Sequence, residues 1–254
     1  MADFMTVQDN RGLLLPFKQM IGERAYRALT IPAAAVLRRM PTSLKYNVGL
    51  RQRKTKYPYR LIEPGDTVVQ VGAPRDLLTV GRSRTVYFLH LVGPSGRVIV
   101  FEPDPDSAAA LRAFAEKYGL RDRLTLIQKG AWSSETTLTF YSSPLHPASN
   151  TVKGAYEVDE IDMQRRGYNE ISILVNSIDA ELAALSAVMP KLVSITANSS
   201  ESEILKGMRN LMARGLAYIS LAITGENYPE MMSEIGYDLS GYDDRGYTFS
   251  RSSS

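Results

Sequence analysis

The chain has 254 residues, 44% apolar and 22% charged, with a formal net charge of +3; this length can bury a sizeable core, and the composition is that of an ordinary globular protein. With no cysteine and only two histidines, His90 and His146, disulfide frameworks and thiolate metal sites are excluded. A dedicated transition-metal centre is not expected, although carboxylates alone could hold a hard cation.

The charge is unevenly placed. Residues 1–60 carry 12 Lys+Arg against 3 Asp+Glu, a balance of +9, and residues 61–254 carry 18 against 24, a balance of −6, which together give the +3. A basic arm of this kind is a solvated or subunit-contacting extension, or else binds a protein partner or an anionic membrane surface through residues 15–60. Its apolar runs, LLLPF and IPAAAV, are far shorter than the roughly 20 residues needed to span a bilayer. No secretory pattern opens the chain, so a cytoplasmic location is expected, with peripheral membrane attachment as a variant.

In chain order, LPFKQMIGERAYRALTIPAAAVLRRM (15–40) has helical spacing and basic residues near its end, with a break expected at Pro32. SLKYNVGLRQRKTKYPYR (43–60) interleaves aromatics with cations, but no nucleic-acid-binding motif frames it and nucleic acid is not expected as a partner. Residues 1–58 therefore read as a basic, partly helical extension and residues 59–254 as the body.

Within the body, the runs DTVVQVG, RVIVFEP, RLTLIQKGAW, LVSITA and GLAYISLAI read as strands, with TTLTFYSS (136–143) as an extra one. SAAALRAFAEKYGL and ESEILKGMRNLMARG carry apolar residues at helical spacing. YDL and GYTFSR in the tail pair as edge strands. This alternation predicts an α/β fold with a doubly wound, mainly parallel sheet, whose ligands bind outside the carboxyl ends of the strands.

The second predicted strand ends in FEPDPDS. A carboxylate at such an end can accept hydrogen bonds from the vicinal hydroxyls of a cofactor ribose, and Glu102 is the candidate. The alternative is that Glu102 and Asp104 only cap the following helix; capping is expected instead from Asp106 or Ser107.

VVQVG, LVGPSGRVIVFEPDP, KGAWSSETTLTFY and ESEILKGM, in that order and over roughly residues 60–225, resemble the FkbM-type S-adenosylmethionine-dependent methyltransferases. The resemblance implies a Rossmann-like methyltransferase fold, S-adenosyl-L-methionine as cofactor, and O-methylation of a hydroxyl on a glycan or other small-molecule acceptor. It also implies roles for particular residues. Glu102 matches the ribose-binding acid and Gly72 the first glycine of the cofactor loop, while Gln128, Lys129 and Gly130 would lie near the adenine.

Other positions depart from the family pattern. Relatives end the first strand DVGANIG; here Gln70 replaces the acid, Pro74 the asparagine and Asp76 the second glycine. Gly72 to Glu102 is 30 positions, half as long again as the roughly 20 of a generic dinucleotide fingerprint. Gly81 is read as the displaced second glycine, with the extra residues in a loop, PRDLLTV. Arg75, Arg82 and Arg84 make this stretch basic, and Arg82 and Arg84 near a helix N-terminus could cradle an anion.

Where relatives read IKIDVEGAE, this chain has Ser194, Thr196, Asn198 and Ser199 at the lysine, aspartate, glutamate and glycine, with Glu201 kept in register. None of the four replacements is a strong base. His146, Asn198 and Glu201 remain as candidates for a catalytic role. Two functions follow: an O-methyltransferase, or an inactive descendant of the same fold that serves as a partner-binding or scaffolding subunit.

Overall fold

The computed structural model describes residues 39–252 apart from 156, 223–226 and 244; residues 15–38, with the break expected at Pro32, lie outside these. The interleaved aromatic and basic stretch begins as helix α1 (Thr42–Arg53), which buries Tyr46 edge-on against Tyr87, ring centres 5.2 Å apart. Along the chain follow β1 (Thr67–Val71), α2 (Arg75–Thr79), α3 (Arg84–Leu91), β2 (Arg97–Phe101), α4 (Pro105–Lys117) and β3 (Leu124–Ile127). An excursion adds β4 (Gly130–Ala131), β5 (Thr136–Ser142), β6 (Thr151–Val152), α5 (Glu160–Arg166) and β7 (Asn169–Asn176). Alternation resumes with α6 (Ile178–Ala184), β8 (Leu192–Ile195), α7 (Glu201–Lys206), α8 (Arg209–Ala213), β9 (Tyr218–Ala222) and α9 (Tyr228–Glu234), and closes on the hairpin β10 (Tyr237–Tyr242) and β11 (Gly246–Arg251).

Seven strands form one sheet in the order β10-β11-β9-β8-β1-β2-β3. The five central and outer strands β9, β8, β1, β2 and β3 run parallel, and β11 is antiparallel to both β9 and β10. The chain order reverses at β1, which has β2 on one side and β8 on the other, and a crevice opens there at the strands' carboxyl ends. This is the doubly wound, Rossmann-like methyltransferase arrangement expected from the sequence. YDL and GYTFSR do pair, but only β10 is an edge strand; β11 lies between it and β9.

Both faces of the sheet are covered, which is why its central strands read as nearly continuous apolar runs. Val69, Val71, Ile99, Phe101, Val193 and Ile195 face one helical layer. Val68, Val98, Val100 and Leu192 face the other, where Val86, Phe88 and Leu89 of α3 pack. Polar residues interrupt the strands in register: Gln70 pairs with Ser194, Ser194 with Ser220, and Ser220 with Thr248. All four are fully buried, so they form a polar row across one face of the sheet that needs internal partners.

Three local expectations are corrected. PRDLLTV is not a loop, because Arg75–Thr79 forms the helix α2, with Pro74 as its extended N-cap residue. The helix expected over ESEILKGMRNLMARG is two short helices, divided at Gly207, where an added Cβ would sit 1.9 Å from the Trp132 carbonyl oxygen. The cap of α4 is Asp104, whose carboxylate accepts the Ser107 backbone N–H at 3.0 Å, and neither Asp106 nor Ser107.

The second sheet, in the order β4-β7-β5-β6, includes a strand the sequence reading did not anticipate, β7. Ile171, Ile173 and Val175 alternate along it at the two-residue period of a strand, and Ile173 and Val175 pack with Phe140. This sheet is placed over the carboxyl ends of β1 and β2, and the candidate site lies between them. Among the described residues, no helix is long and apolar enough to cross a membrane.

Candidate functional site

Strand β2 delivers Glu102 to the crevice with its side chain 5% exposed. One carboxylate oxygen accepts the Ala73 N–H at 2.6 Å, and the other accepts the Asp104 N–H at 3.0 Å. Burial pushes the carboxyl up to about 7, helped by the nearby Asp104 charge and opposed by the two N–H bonds. Each oxygen retains further acceptor capacity. Among the described lining residues, Glu102 is the one ionisable side chain of the cavity.

Gly72 turns the chain at the end of β1 with φ +82°, and an added Cβ would lie 2.4 Å from the Thr196 carbonyl oxygen. Both facts require glycine at this position. Gly72→Ala is expected to lower unfolding stability by at least about 1–2 kcal/mol, the penalty of a left-handed conformation, as read from denaturant midpoints. A variant as stable as the parent would show that the turn rearranges.

The Gln70 amide donates to the Val71 carbonyl at 2.6 Å, the Gly72 carbonyl at 3.0 Å and the Thr196 hydroxyl at 3.0 Å. It is fully buried, acts beneath the glycine turn, and does not line the cavity. Gly130 does line it, with Val175 against its backbone, where an added Cβ would meet a methyl carbon at 2.8 Å. Gln128 and Lys129 are directed elsewhere: Gln128 accepts from Arg112 at 3.3 Å and Lys129 pairs with Glu181 at 2.5 Å. Gly81 lies apart from the crevice, packed on Lys45 of α1.

The three catalytic candidates are also separated. His146 is exposed and lies outside the cavity, although its neighbours Pro147 and Ala148 line it. Glu201 is fully buried and accepts the Ala197 N–H at 3.3 Å, away from the lining. Asn198 does reach the site. Its amide donates to the carbonyls of Ala148 at 3.0 Å and Asn150 at 2.8 Å, tying the loop after β8 to the turn before β6. Its φ of +47° and the +72° of Ser199 mark a tightly held bend, a conformation that non-glycine residues adopt at a cost.

The arginines divide as well. Arg75 pairs with Asp106 at 2.8 Å and donates to the Pro144 carbonyl. Arg82 is exposed in a groove beside Lys45 and Arg53, whereas Arg84 is 2% exposed beneath the sheet. The two therefore do not share one anion. Arg84 donates to Ser194 at 3.3 Å, Ser220 at 3.0 Å and Asp243 at 2.6 Å, serving the polar row.

The cavity's outer wall comes from the second sheet and its connection: Phe140, Ile173, Val175, Val152 and the turn at Pro147–Ala148. These residues were not anticipated. The signal that could have found part of the wall was the strict alternation of Ile171, Ile173 and Val175. The space enclosed is about 70 Å³, well below the 300–1,000 Å³ or so of small-molecule sites. Past Gly72, Pro74, Thr196, Asn198 and Ala148, a second chamber of about 200 Å³ continues toward Arg84.

No family model and no curated protein matches the chain. Among solved structures, the methyltransferase FkbM from Methylobacillus flagellatus KT is similar at 16% identity and a TM-score of 0.49, over 78% of this chain and 47% of that one, so this chain spans about half its length. An O-methyltransferase from Bacillus cereus in complex with SAH is similar at 11% identity and a TM-score of 0.47, over 97% of this chain and 100% of that one. A methyltransferase from Geobacter sulfurreducens is similar at 13% and 0.44, over 92% and 98%. The strand order of the seven-stranded sheet, rather than these likenesses, makes this a protein of methyltransferase fold.

Proposed function

We propose that the chain is an S-adenosylmethionine-dependent O-methyltransferase of the FkbM type, acting on a hydroxyl of a glycan or natural-product-like small molecule. The observation that carries this reading is Glu102: a buried carboxylate at the carboxyl end of β2, beside the glycine turn of β1, facing a cavity with apolar walls. The donor set fits the adenosyl part of the cofactor. Glu102 can accept from ribose hydroxyls, Gly72 lets backbone approach closely, and Gly130, Ile173 and Val175 offer a flat apolar surface for a base. When bound, the cofactor would supply an electrophilic methyl group on a sulfonium.

The chain's own contribution is orientation and exclusion of water. Phe140, Val152 and Ile173 close the cavity against solvent, and Thr196 and Asn198 stand at its junction with the second chamber, where an acceptor hydroxyl could be hydrogen-bonded. With no strong base beyond Glu102 among the described lining residues, the chain's main contribution to the rate is the positioning of the acceptor.

A non-catalytic, partner-binding role is favoured by two other observations: the narrow cavity, and the groove of about 400 Å³ where Lys45, Arg53 and Arg82 are the charged lining residues among those described. That surface suits a protein partner or an anionic membrane surface. Isothermal titration of the full chain with S-adenosylmethionine and its demethylated product separates the readings. Binding at micromolar to low millimolar ligand is expected from the first, and no heat with either ligand at about 1 mM would sink it.

A further inference from the structure

The aromatics and cations that interleave in residues 39–62 separate in the fold. This stretch holds seven Lys or Arg and no Asp or Glu. Its tyrosines turn inward: Tyr46 and Tyr59 are buried edge-on against Tyr87, and the Tyr57 ring lies against Gly241. Two kinds of side chain are left outward. Leu44 and Val48 of α1 are 45% and 40% exposed, and Val80, which shares a groove with Val48 and Met40, is 52% exposed. Leu44, Val48 and Arg51 recur at the spacing of one helix face, opposite the buried Tyr46 and Gly49. Arg51 and, just past the helix, Lys54 and Lys56 are exposed and pair with no acid among the described residues.

We infer that this outer face of α1 docks on an anionic lipid bilayer. Cations alone would suit any polyanion, but the aliphatic side chains beside them gain only by leaving water, as they do at the boundary between headgroups and acyl chains. A single-stranded nucleic acid would draw on stacking aromatics, and those of this stretch are turned inward. Shallow burial of Leu44, Val48 and Val80, with Arg51, Lys54 and Lys56 against the headgroups, is the pattern of peripheral attachment. This gives the partner-binding reading a definite partner, and it holds equally if the chain methylates, because the groove beside α1 and the Glu102 cavity share no lining residue.

The test is co-sedimentation of the full chain, without cofactor, with vesicles of phosphatidylcholine alone and with vesicles containing about 30% phosphatidylserine. Binding to the anionic vesicles is expected to be at least about tenfold tighter, and to fall as NaCl is raised from about 0.1 M to about 0.5 M. The combined charge reversals Arg51→Glu, Lys54→Glu and Lys56→Glu should remove that preference. Leu44→Ser with Val48→Ser should weaken binding about three- to tenfold and leave its salt dependence in place. Arg121→Glu, at an exposed cation elsewhere on the body, should change binding less than about twofold. All these positions are exposed, so each variant is expected to keep the parent's unfolding transition.

The inference is overturned if the chain stays in the supernatant with anionic vesicles at about 1 mM lipid, or if phosphatidylcholine vesicles bind it as well. It is overturned too if the preference survives the charge reversals or is lost in Arg121→Glu, or if Leu44→Ser with Val48→Ser changes nothing. Tighter binding to a polyglutamate peptide or an oligonucleotide than to the anionic vesicles would assign the face to a protein or a nucleic acid instead. Because no cofactor is present, these outcomes are independent of the titration that decides the methyltransferase reading.

Discussion

Arg84→Met is expected to lower the free energy of unfolding by about 3–5 kcal/mol, the cost of stranding one member of a buried ion pair. Arg84 and Asp243 are each 2% exposed and 2.6 Å apart, so neither can recruit bulk water when its partner is lost. The same substitution removes the donor that serves Ser194 and Ser220, two buried hydroxyls in the interior of the sheet. Asp243→Ala should be at least as damaging, because Asp243 also accepts the backbone N–H groups of Arg245 and Gly246 at 3.0 Å. Chemical denaturation followed by circular dichroism measures both. A loss below about 1 kcal/mol, the value of an exposed pair, would show that the ion pair is not part of the folded core.

Glu102→Gln should weaken S-adenosylhomocysteine by about 1.5–3 kcal/mol, the worth of a hydrogen bond to a charged acceptor, and should also abolish a pH dependence. With Glu102 pushed up to about 7 by burial, its ionised fraction rises about tenfold between pH 6 and 8. If the carboxylate accepts the ribose hydroxyls, affinity in the parent chain climbs by the same order across that range. In the Gln variant it stays flat.

Stability moves in the opposite direction. The folded carboxyl holds its proton up to about 7, against 4.5 when unfolded, so between those values the folded state binds more protons and stability falls as pH rises. The fall is complete above the folded value and amounts to about 3 kcal/mol at most. It should be absent in Glu102→Gln. Affinity that is flat with pH in the parent, together with unchanged affinity in the variant, would remove Glu102 from the ribose role.

The five parallel strands of the main sheet and helix α4 were legible because they depend on local patterns, although RLTLIQKGAW is not one strand: β3 ends at Ile127, and Gly130–Ala131 joins the second sheet. VVQV, VIVF and LVSI are short apolar runs closed by turn residues, and the helix after FEPDPDS carries its own start signal. Glu102 could be found for the same reason: an acid at a predicted strand end faces the crevice by topology alone. The second sheet was only half legible, since TTLTFYSS was read as a strand but its partner over Ile171–Val175 was not. Without the partner, the outer wall of the cavity could not be foreseen.

The arginines show where local reading stops. In the sequence, Arg82 and Arg84 look like neighbours on one basic turn. In the fold, the start of α3 sends Arg84 under the sheet to an aspartate 159 residues away and leaves Arg82 on the far side, beside α1. Gln70 and Glu201 likewise stand at positions that the family resemblance marks as functional, yet both turn inward. Their side chains satisfy backbone and hydroxyl groups that packing has cut off from water.

By itself, the sequence determined the alternation of strands and helices, the doubly wound class, and the placing of a carboxylate and a glycine at the end of two adjacent strands. Apolar periodicity and turn chemistry act over a few residues and so are written locally. The tertiary structure alone decided the narrow first cavity under the second sheet, the polar row from Gln70 to Thr248, and the chamber at Arg84 and Arg245. Each of these depends on which distant side chains are brought together, and on the need of every buried polar group for a partner that only the completed packing can supply.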